Sequence, residues 1–283
     1  EFDDLIGNPI DPATKKNVHL GLGLVFMKTA RLFHRDASLE EVLFYVPLFL
    51  SVIIGIFSFI VARQLGAGAL GAFLASFTVN LSPFLLTRSV GEWFDTDIYN
   101  VLFPLLAFCA FLAAQRYKKI FRCIAFCALS GFFLACYAST WKGWWFIFDI
   151  MIVSDLFFIW NQRLSRDEAP YFRPAKNPFV PLGLFVVSTT FFVIVMNGAA
   201  VWKDFILEPL RLSTILKVTP QAMGPNVYQT VAELGKVEPY VIMTSLGAPV
   251  VFFAALLGIL YIFLGERAVR DERNRVADHR AEI

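Results

Sequence analysis

Residues 42–62 decide the fold class of this chain. They read VLFYVPLFLSVIIGIFSFIVA, a run of 21 residues that contains no charged side chain. A helix needs about 20 mostly apolar residues to cross the hydrocarbon core of a bilayer. Uncharged runs of this length are rare in the cores of soluble proteins, so the stretch predicts a transmembrane helix.

Further segments along the chain are also long and mostly apolar. They are residues 68–87, 98–115, 123–139, 143–160, 178–197 and 240–264. Tryptophan and tyrosine side chains lie near many of the segment ends, as they do in the aromatic belts at membrane surfaces. The pattern predicts an all-α polytopic protein in a lipid bilayer, with about seven transmembrane helices.

The composition of the whole chain agrees with this prediction. Of its 283 residues, 57% are hydrophobic and 17% are charged, and the mean hydropathy is +0.62. Soluble domains average roughly 45–50% apolar and about 25% charged residues. The composition excludes a disordered chain and a coiled coil. The net charge of +2 is too small to indicate a nucleic-acid partner.

Lysine and arginine are concentrated on one side of the predicted helices. The connections 116–122 and 161–177 and the tail 265–283 carry most of them. Because cytoplasmic loops carry an excess of these residues, this side is predicted to be cytoplasmic. The connections 88–97 and 198–239 then lie outside, which makes 198–239 a long external loop.

This topology divides the chain into regions. Residues 1–41 are expected to form an external N-terminal segment with an interfacial helix. Residues 42–264 form the transmembrane domain, and residues 265–283 form a charged cytoplasmic tail. The N-terminal segment carries no signal sequence and needs a preceding span for its translocation, so we expect the chain to be truncated upstream.

The external connections carry the acidic residues of chemical interest. Asp95 and Asp97 lie two residues apart at the mouth of a predicted span. Hard divalent cations bind carboxylate oxygens in such arrangements, although acids at the start of a helix are also favoured by the helix dipole. Glu233, in the long external loop, reads in isolation as a solvated acid.

Two other features lie inside predicted spans. Asp149 and Asp155 fall within the segment 143–160, and a charge at this depth favours either a paired, structural role or a site. Small residues recur at Gly66, Gly68, Gly71 and Ala75, at or just before the second predicted span, and this spacing predicts close helix packing.

The run from Arg88 to Asp97 resembles the second acidic motif of the catalytic subunits of oligosaccharyltransferases. In that family an arginine precedes a Gly-x-x-Asp-x-Asp run at the mouth of a span. Here Gly91 precedes Asp95-Thr-Asp97 with one extra residue between them. The stretch that ends in Thr230-Val-Ala-Glu233 is similar to the Thr/Ser-Ile/Val-x-Glu motif in the family's long fifth external loop.

This resemblance implies a GT-C glycosyltransferase of the archaeal or bacterial single-subunit type. Such enzymes transfer an oligosaccharide from a polyprenyl (pyro)phosphate carrier to the asparagine of Asn-x-Ser/Thr in an acceptor protein. By the same resemblance, Asp95, Asp97 and Glu233 are the catalytic residues and the ligands of Mn²⁺ or Mg²⁺. Thr230 and Arg88 bind substrate, with Arg88 on either the carrier phosphate or the acceptor peptide.

The resemblance also has gaps. The family's first acidic motif and its Trp-Trp-Asp-Tyr-Gly domain are not found in this chain, so we expect the chain by itself to be inactive. Two alternatives remain open at this point. One is another polyprenyl-phosphate-dependent glycosyltransferase. The other is a membrane transporter, which Asp149 and Asp155 would favour through a polar site within the membrane.

Overall fold

The computed structural model describes residues 28–29, 39–88, 96–117, 119–141, 143–164, 179–202, 240, 243–244 and 250–258. Within these residues the fold is all-helical. The elements are α1 (Leu39–Gln64), α2 (Ala69–Asn80), α3 (Pro83–Arg88), a 3-10 helix (Thr96–Ile98), α4 (Tyr99–Arg116), α5 (Ile120–Thr140), α6 (Trp144–Leu164) and α7 (Phe179–Asn197). Residues 199–202 and 250–258 are also helical.

The chain divides into two compact units. The larger comprises Glu1–Asn80 and Leu85–Pro220, and the smaller comprises Leu81–Phe84 and Gln221–Ile283. The core of the larger unit is built mainly by α4 and α5, with contributions from α1, α6 and α7. Phe111 of α4 and Phe185 of α7 meet there with ring centroids 4.6 Å apart.

The uncharged run 42–62 forms most of α1. Its buried residues follow one face at intervals of three to four, as an amphipathic helix would place them. They include Val42, Val46, Leu50, Ile54, Ser58 and Val61. The other face is equally apolar and exposed, with Phe49, Val52 and Ile56 each more than half exposed. A helix that is apolar on both faces suits a membrane, where lipid covers the outer one.

Four helices within the described residues are long and apolar enough to cross a membrane. They are Phe44–Gln64 in α1, Tyr99–Arg116, Ile120–Thr140 and Phe179–Asn197. They correspond to the first, third, fourth and sixth predicted spans. The fifth predicted span coincides with α6, a 21-residue helix. Most of the seventh lies outside the described residues, so a total of seven stays a prediction.

The second predicted span is not one continuous helix. α2 ends at Asn80, and α3 begins at Pro83 after a turn at Leu81 and Ser82. A proline has no N–H group, so it cannot make the hydrogen bond to the carbonyl group four residues earlier. Pro47 and Pro104 nevertheless lie inside the continuous helices α1 and α4, so proline alone does not explain the break. Pro83 is accommodated at the first position of a new helix.

The close helix approaches occur at glycines other than those that the spacing predicted. A Cβ atom on Gly131 of α5 would lie 2.6 Å from the backbone nitrogen of Thr189 in α7, so these helices meet backbone to backbone. A Cβ on Gly68 would have no neighbour within 4 Å, and one on Gly71 would meet only Ala67. The predicted packing role is therefore wrong for Gly68 and Gly71, because both are exposed, Gly68 just before α2 and Gly71 on the helix itself.

Hydrogen bonds between side chains and backbone supplement these contacts. Ser130 of α5 donates to the carbonyl oxygen of Ala107 in α4 at 2.8 Å. Asn197 at the end of α7 donates to the carbonyl oxygen of Ala135 at 2.9 Å and accepts from Ser139 at 2.5 Å. Such interhelical bonds are a principal source of specificity where lipid is as apolar as the protein.

Parts of the predicted organisation lie outside the described residues. Of the external N-terminal segment only Lys28, Thr29 and the first residues of α1 are described, and of the long loop only its beginning up to residue 202 is described. The charged tail 265–283 also lies outside them.

Candidate functional site

Asp97 is the one predicted site carboxylate among the described residues. It lies in the 3-10 helix Thr96–Ile98, directly before α4, and its side chain is partly exposed. The neighbouring Ile98 and Tyr99 are buried, and the Tyr99 ring stacks on Phe103 with centroids 5.4 Å apart. These apolar contacts hold the start of α4 in the bundle, and they place the Asp97 carboxylate at the accessible edge of that start.

Helix α4 begins two residues after Asp97, and the start of a helix favours negative charge. The N-cap residue Ile98 makes no side-chain hydrogen bond to the helix. The first N–H groups of a helix are left without intrahelical partners and carry the positive end of its dipole. Both interpretations that the sequence left open for Asp97 fit this location, namely a dipole-stabilised acid and a ligand for a cation.

Arg88 is the last residue of α3, and nine sequence positions separate it from Asp97. Its helix is held by Leu85, which is only 2% exposed. The structure therefore places both ends of the acidic motif on helices. Asp95, Thr230 and Glu233 lie outside the described residues, so their roles stay predictions.

The chemistry of the proposed ligand set suits a hard divalent cation. Mg²⁺ and Mn²⁺ prefer oxygen donors, and three carboxylates provide them. Asp97 alone of this set is described, at a partly exposed position from which a carboxylate can reach a ligand. Among the described residues no group of three histidine, cysteine, aspartate or glutamate side chains could hold a metal ion.

Asp155 has a protein partner that the sequence did not reveal. It lies on α6 and is 5% exposed, and one of its carboxylate oxygens accepts a hydrogen bond from the Gln115 amide of α4. The structure thus supports the paired interpretation of this acid. Asp149, six residues earlier on the same helix, is only partly buried. The two carboxylates therefore differ in their surroundings.

An aromatic cluster lies where α7 leads into the long loop. The Trp202 ring lies 6.3 Å from that of Trp144 and 6.1 Å from that of Phe148, both on α6. Phe148 in turn lies 5.5 Å from Phe185 of α7. The sequence predicts that Trp144 belongs to an aromatic belt. Its contact with Trp202, 58 positions away, arises only in the tertiary fold.

A groove of about 440 Å³ lies between α1 and α2. Its polar lining comes from Ser51, Gly55, Ser76 and Asn80, and Ser76 donates to the carbonyl oxygen of Gly55 at 2.7 Å. Asp97, the predicted site carboxylate that the structure describes, does not line this groove.

The helices and their exposed apolar faces define an all-helical membrane protein. The family model described as oligosaccharyl transferase STT3, N-terminal, matches residues 16–277. The chain therefore belongs to the STT3 family of oligosaccharyltransferases, and the matched region contains every predicted site residue.

Individual relatives are similar over part of their length. A dolichyl-phosphooligosaccharide-protein glycotransferase of Methanococcus voltae is 25% identical over 242 residues, which cover 78% of this chain and 26% of the relative. A protein of the same name from Methanocaldococcus jannaschii is 28% identical over 151 residues, which cover 50% of this chain and 16% of the relative. The chain thus spans about a quarter or less of the curated relatives that it matches.

A solved structure is also similar. It is the archaeal oligosaccharyltransferase AglB from Archaeoglobus fulgidus in complex with an inhibitory peptide and a dolichol-phosphate. The similarity has a TM-score of 0.46 at 15% sequence identity, and it covers 86% of this chain and 28% of that one.

Proposed function

We propose that this chain is the membrane part of an oligosaccharyltransferase. It would transfer a glycan from a polyprenyl (pyro)phosphate carrier to the asparagine of Asn-x-Ser/Thr in an acceptor protein. The observation that carries the proposal is the family match over residues 16–277, within which both the acidic motif and the Thr-Val-Ala-Glu motif fall. The names of the archaeal relatives, which state a dolichyl-linked oligosaccharide and a protein acceptor, support the same reaction.

The setting of this reaction would be the external surface of the cell membrane, or its lumenal equivalent. The chain would cross the bilayer about seven times, with the connections 88–97 and 198–239 outside. The basic connection 116–122 and the tail 265–283 support this orientation. A lipid-linked donor has its phosphate at the level of the head groups, where an acidic motif at the mouth of a span can meet it.

The carboxylates would act on the acceptor side chain. The nitrogen of an asparagine amide is a poor nucleophile, because its lone pair is delocalised into the carbonyl group. Asp95 and Glu233 would accept hydrogen bonds from the N–H groups of this amide and so hold it in position. These bonds would favour localisation of the lone pair on nitrogen. Asp97, beside them, would complete the negatively charged end of the site.

Arg88 would bind the departing (pyro)phosphate of the carrier. A guanidinium group makes charge-assisted and often bidentate hydrogen bonds to phosphate oxygens, and so stabilises the charge that develops as the glycan leaves. Thr230 would contact the acceptor peptide. Asp95, Asp97 and Glu233 would hold Mn²⁺ or Mg²⁺, which when bound supplies Lewis-acid polarisation of the phosphate oxygens.

A reconstituted transfer assay tests the proposal. The full-length protein would be incubated with lipid-linked oligosaccharide, an Asn-x-Ser/Thr peptide and Mn²⁺ or Mg²⁺. A mass increase of the peptide by one glycan is expected, and none is expected with a Gln-x-Ser/Thr peptide. Failure to transfer from polyprenyl carriers of either phosphate number would contradict the proposed reaction.

A further inference from the structure

Helix α6 is apolar on two opposite faces. Phe148, Met151 and Ile159 point inward and are buried, at most 4% exposed. Val153 and Phe157 point outward and are 63% and 65% exposed. In water this helix would be poorly soluble, but in a bilayer the outward face is covered by lipid.

Hydrophobicity cannot select the inward face of such a helix. Lipid tails are as apolar as Phe or Val side chains, so turning α6 about its axis exchanges one apolar environment for another. Interhelical hydrogen bonds are among the interactions that distinguish one rotation from another.

The Gln115–Asp155 hydrogen bond supplies such a distinction for α6. It lies on the inward face and joins α6 to α4 across 40 positions of sequence. The second carboxylate oxygen of Asp155 is buried and has no hydrogen-bond partner among the described residues. A buried, half-satisfied carboxylate is a weak source of stability, because apolar replacements of such groups are often as stable. Such a group can instead favour one orientation of the helix over the others.

The rotation of α6 has a consequence at the other end of the helix. Trp144 and Phe148 form the surface on which Trp202 rests. Trp202 is the last described residue before the segment 203–239, which carries Thr230 and Glu233. A rotation of α6 would withdraw this surface from Trp202.

We propose that Gln115 and Asp155 are positioning residues that set the rotation of α6, and through it the surface on which Trp202 rests. The expected effect on glycan transfer rests on the proposed function. The link to the rotation of α6 does not.

Spin labels on the outward face test the rotation. A nitroxide would be attached at Val153→Cys in the full-length protein in lipid vesicles, and its collision rate with oxygen would be measured by power saturation. The exchange Asp155→Leu is expected to lower the oxygen accessibility at this position by about twofold, because the outward face loses its fixed orientation. A label at Thr78→Cys, on the exposed side of α2, is the matched control and should not change.

A swapped pair keeps the test decisive if the leucine variant does not fold. The double exchange Gln115→Asp with Asp155→Gln rebuilds the hydrogen bond with its partners reversed, and it should restore the accessibility of the parent protein at Val153. Parent-like accessibility in Asp155→Leu, or a well-folded swapped variant that does not restore it, would overturn the proposal.

Transfer activity tests the second half of the proposal. The Asp155→Leu variant is expected to lose about 10–100-fold in kcat, with little change in KM for the lipid-linked donor, and the swapped pair should recover it. Unchanged kcat together with a changed label accessibility would overturn the link to Trp202. A parent protein without any transferase activity would reject the proposed function, while the label experiment would still decide the rotation.

Discussion

Two carboxylates at the two ends of α4 stand in contrasting surroundings. Asp97 precedes the first residue of the helix and is partly exposed, whereas Asp155 meets Gln115 near the last residue and is 5% exposed. An acid in the apolar interior needs a protein partner, because a buried polar group without one is costly. For Asp155 this partner is Gln115, which binds one of the two carboxylate oxygens. An acid at a partly exposed helix start is accessible from outside the bundle, so we expect the acids at the two ends of this helix to serve different purposes.

The sharpest test of this contrast removes the acids assigned to chemistry. Asp95→Ala and Glu233→Ala should each lower glycan transfer by about 100-fold or more, because each removes a group that acts on the reacting amide. Their thermal unfolding midpoints in detergent should match that of the parent protein. Asp149→Asn, in the partly buried part of α6, is the matched acidic control and should retain transfer. Unchanged transfer in either alanine variant would reject its assignment.

A second test enlarges a contact inside the bundle. Gly131→Leu would drive a side chain into the backbone of α7, since even a Cβ would lie 2.6 Å from the nitrogen of Thr189. Overpacking of this kind costs about 1–3 kcal/mol, so the thermal midpoint should fall clearly. Transfer by the folded fraction should fall much less than in the alanine variants. Gly183→Leu on α7 is the control, because no atom lies within 4 Å of its Cβ position. Equal midpoints for the two leucine variants would contradict the backbone contact.

A third test separates the two interpretations of Asp97. An acid whose only role is with the helix dipole contributes about 0.3–1 kcal/mol of stability, and its exchange for asparagine should leave transfer intact. An acid that serves the site should lose transfer instead. We expect Asp97→Asn to lower transfer by about tenfold or more while its thermal midpoint stays within that small range. Full transfer with a lowered midpoint would favour the dipole interpretation.

The smallest expected effect concerns the hydrogen bonds at the end of α7. Asn197→Ala removes the bonds to Ala135 and Ser139, and the loss should be about 1–2 kcal/mol in the free energy of unfolding. A double-mutant cycle with Ser139→Ala measures the pair directly. Additive losses in the two single variants would show that the bond between these side chains carries no coupling.

Local patterns in the sequence predicted most of the helices and showed where the acids lie along the chain. The run 42–62 and its counterparts are mostly apolar over lengths that suit a membrane, although 143–160 contains Asp149 and Asp155. Four of the predicted spans appear as long apolar helices. The acidic motif and the Thr-Val-Ala-Glu motif could be recognised because the residues of each lie close together in the sequence. The break between α2 and α3 was not predicted, because hydropathy reads residues 68–87 as one apolar run.

The tertiary structure decided which faces meet. Gly131 makes the close approach that the exposed stripe at Gly68 and Gly71 does not make, and Asp155 finds its partner in Gln115, 40 positions away. Hydropathy could not anticipate these choices. In a bilayer both faces of a helix are apolar, so the inward face is selected by a few hydrogen bonds and small residues whose partners come from distant parts of the chain.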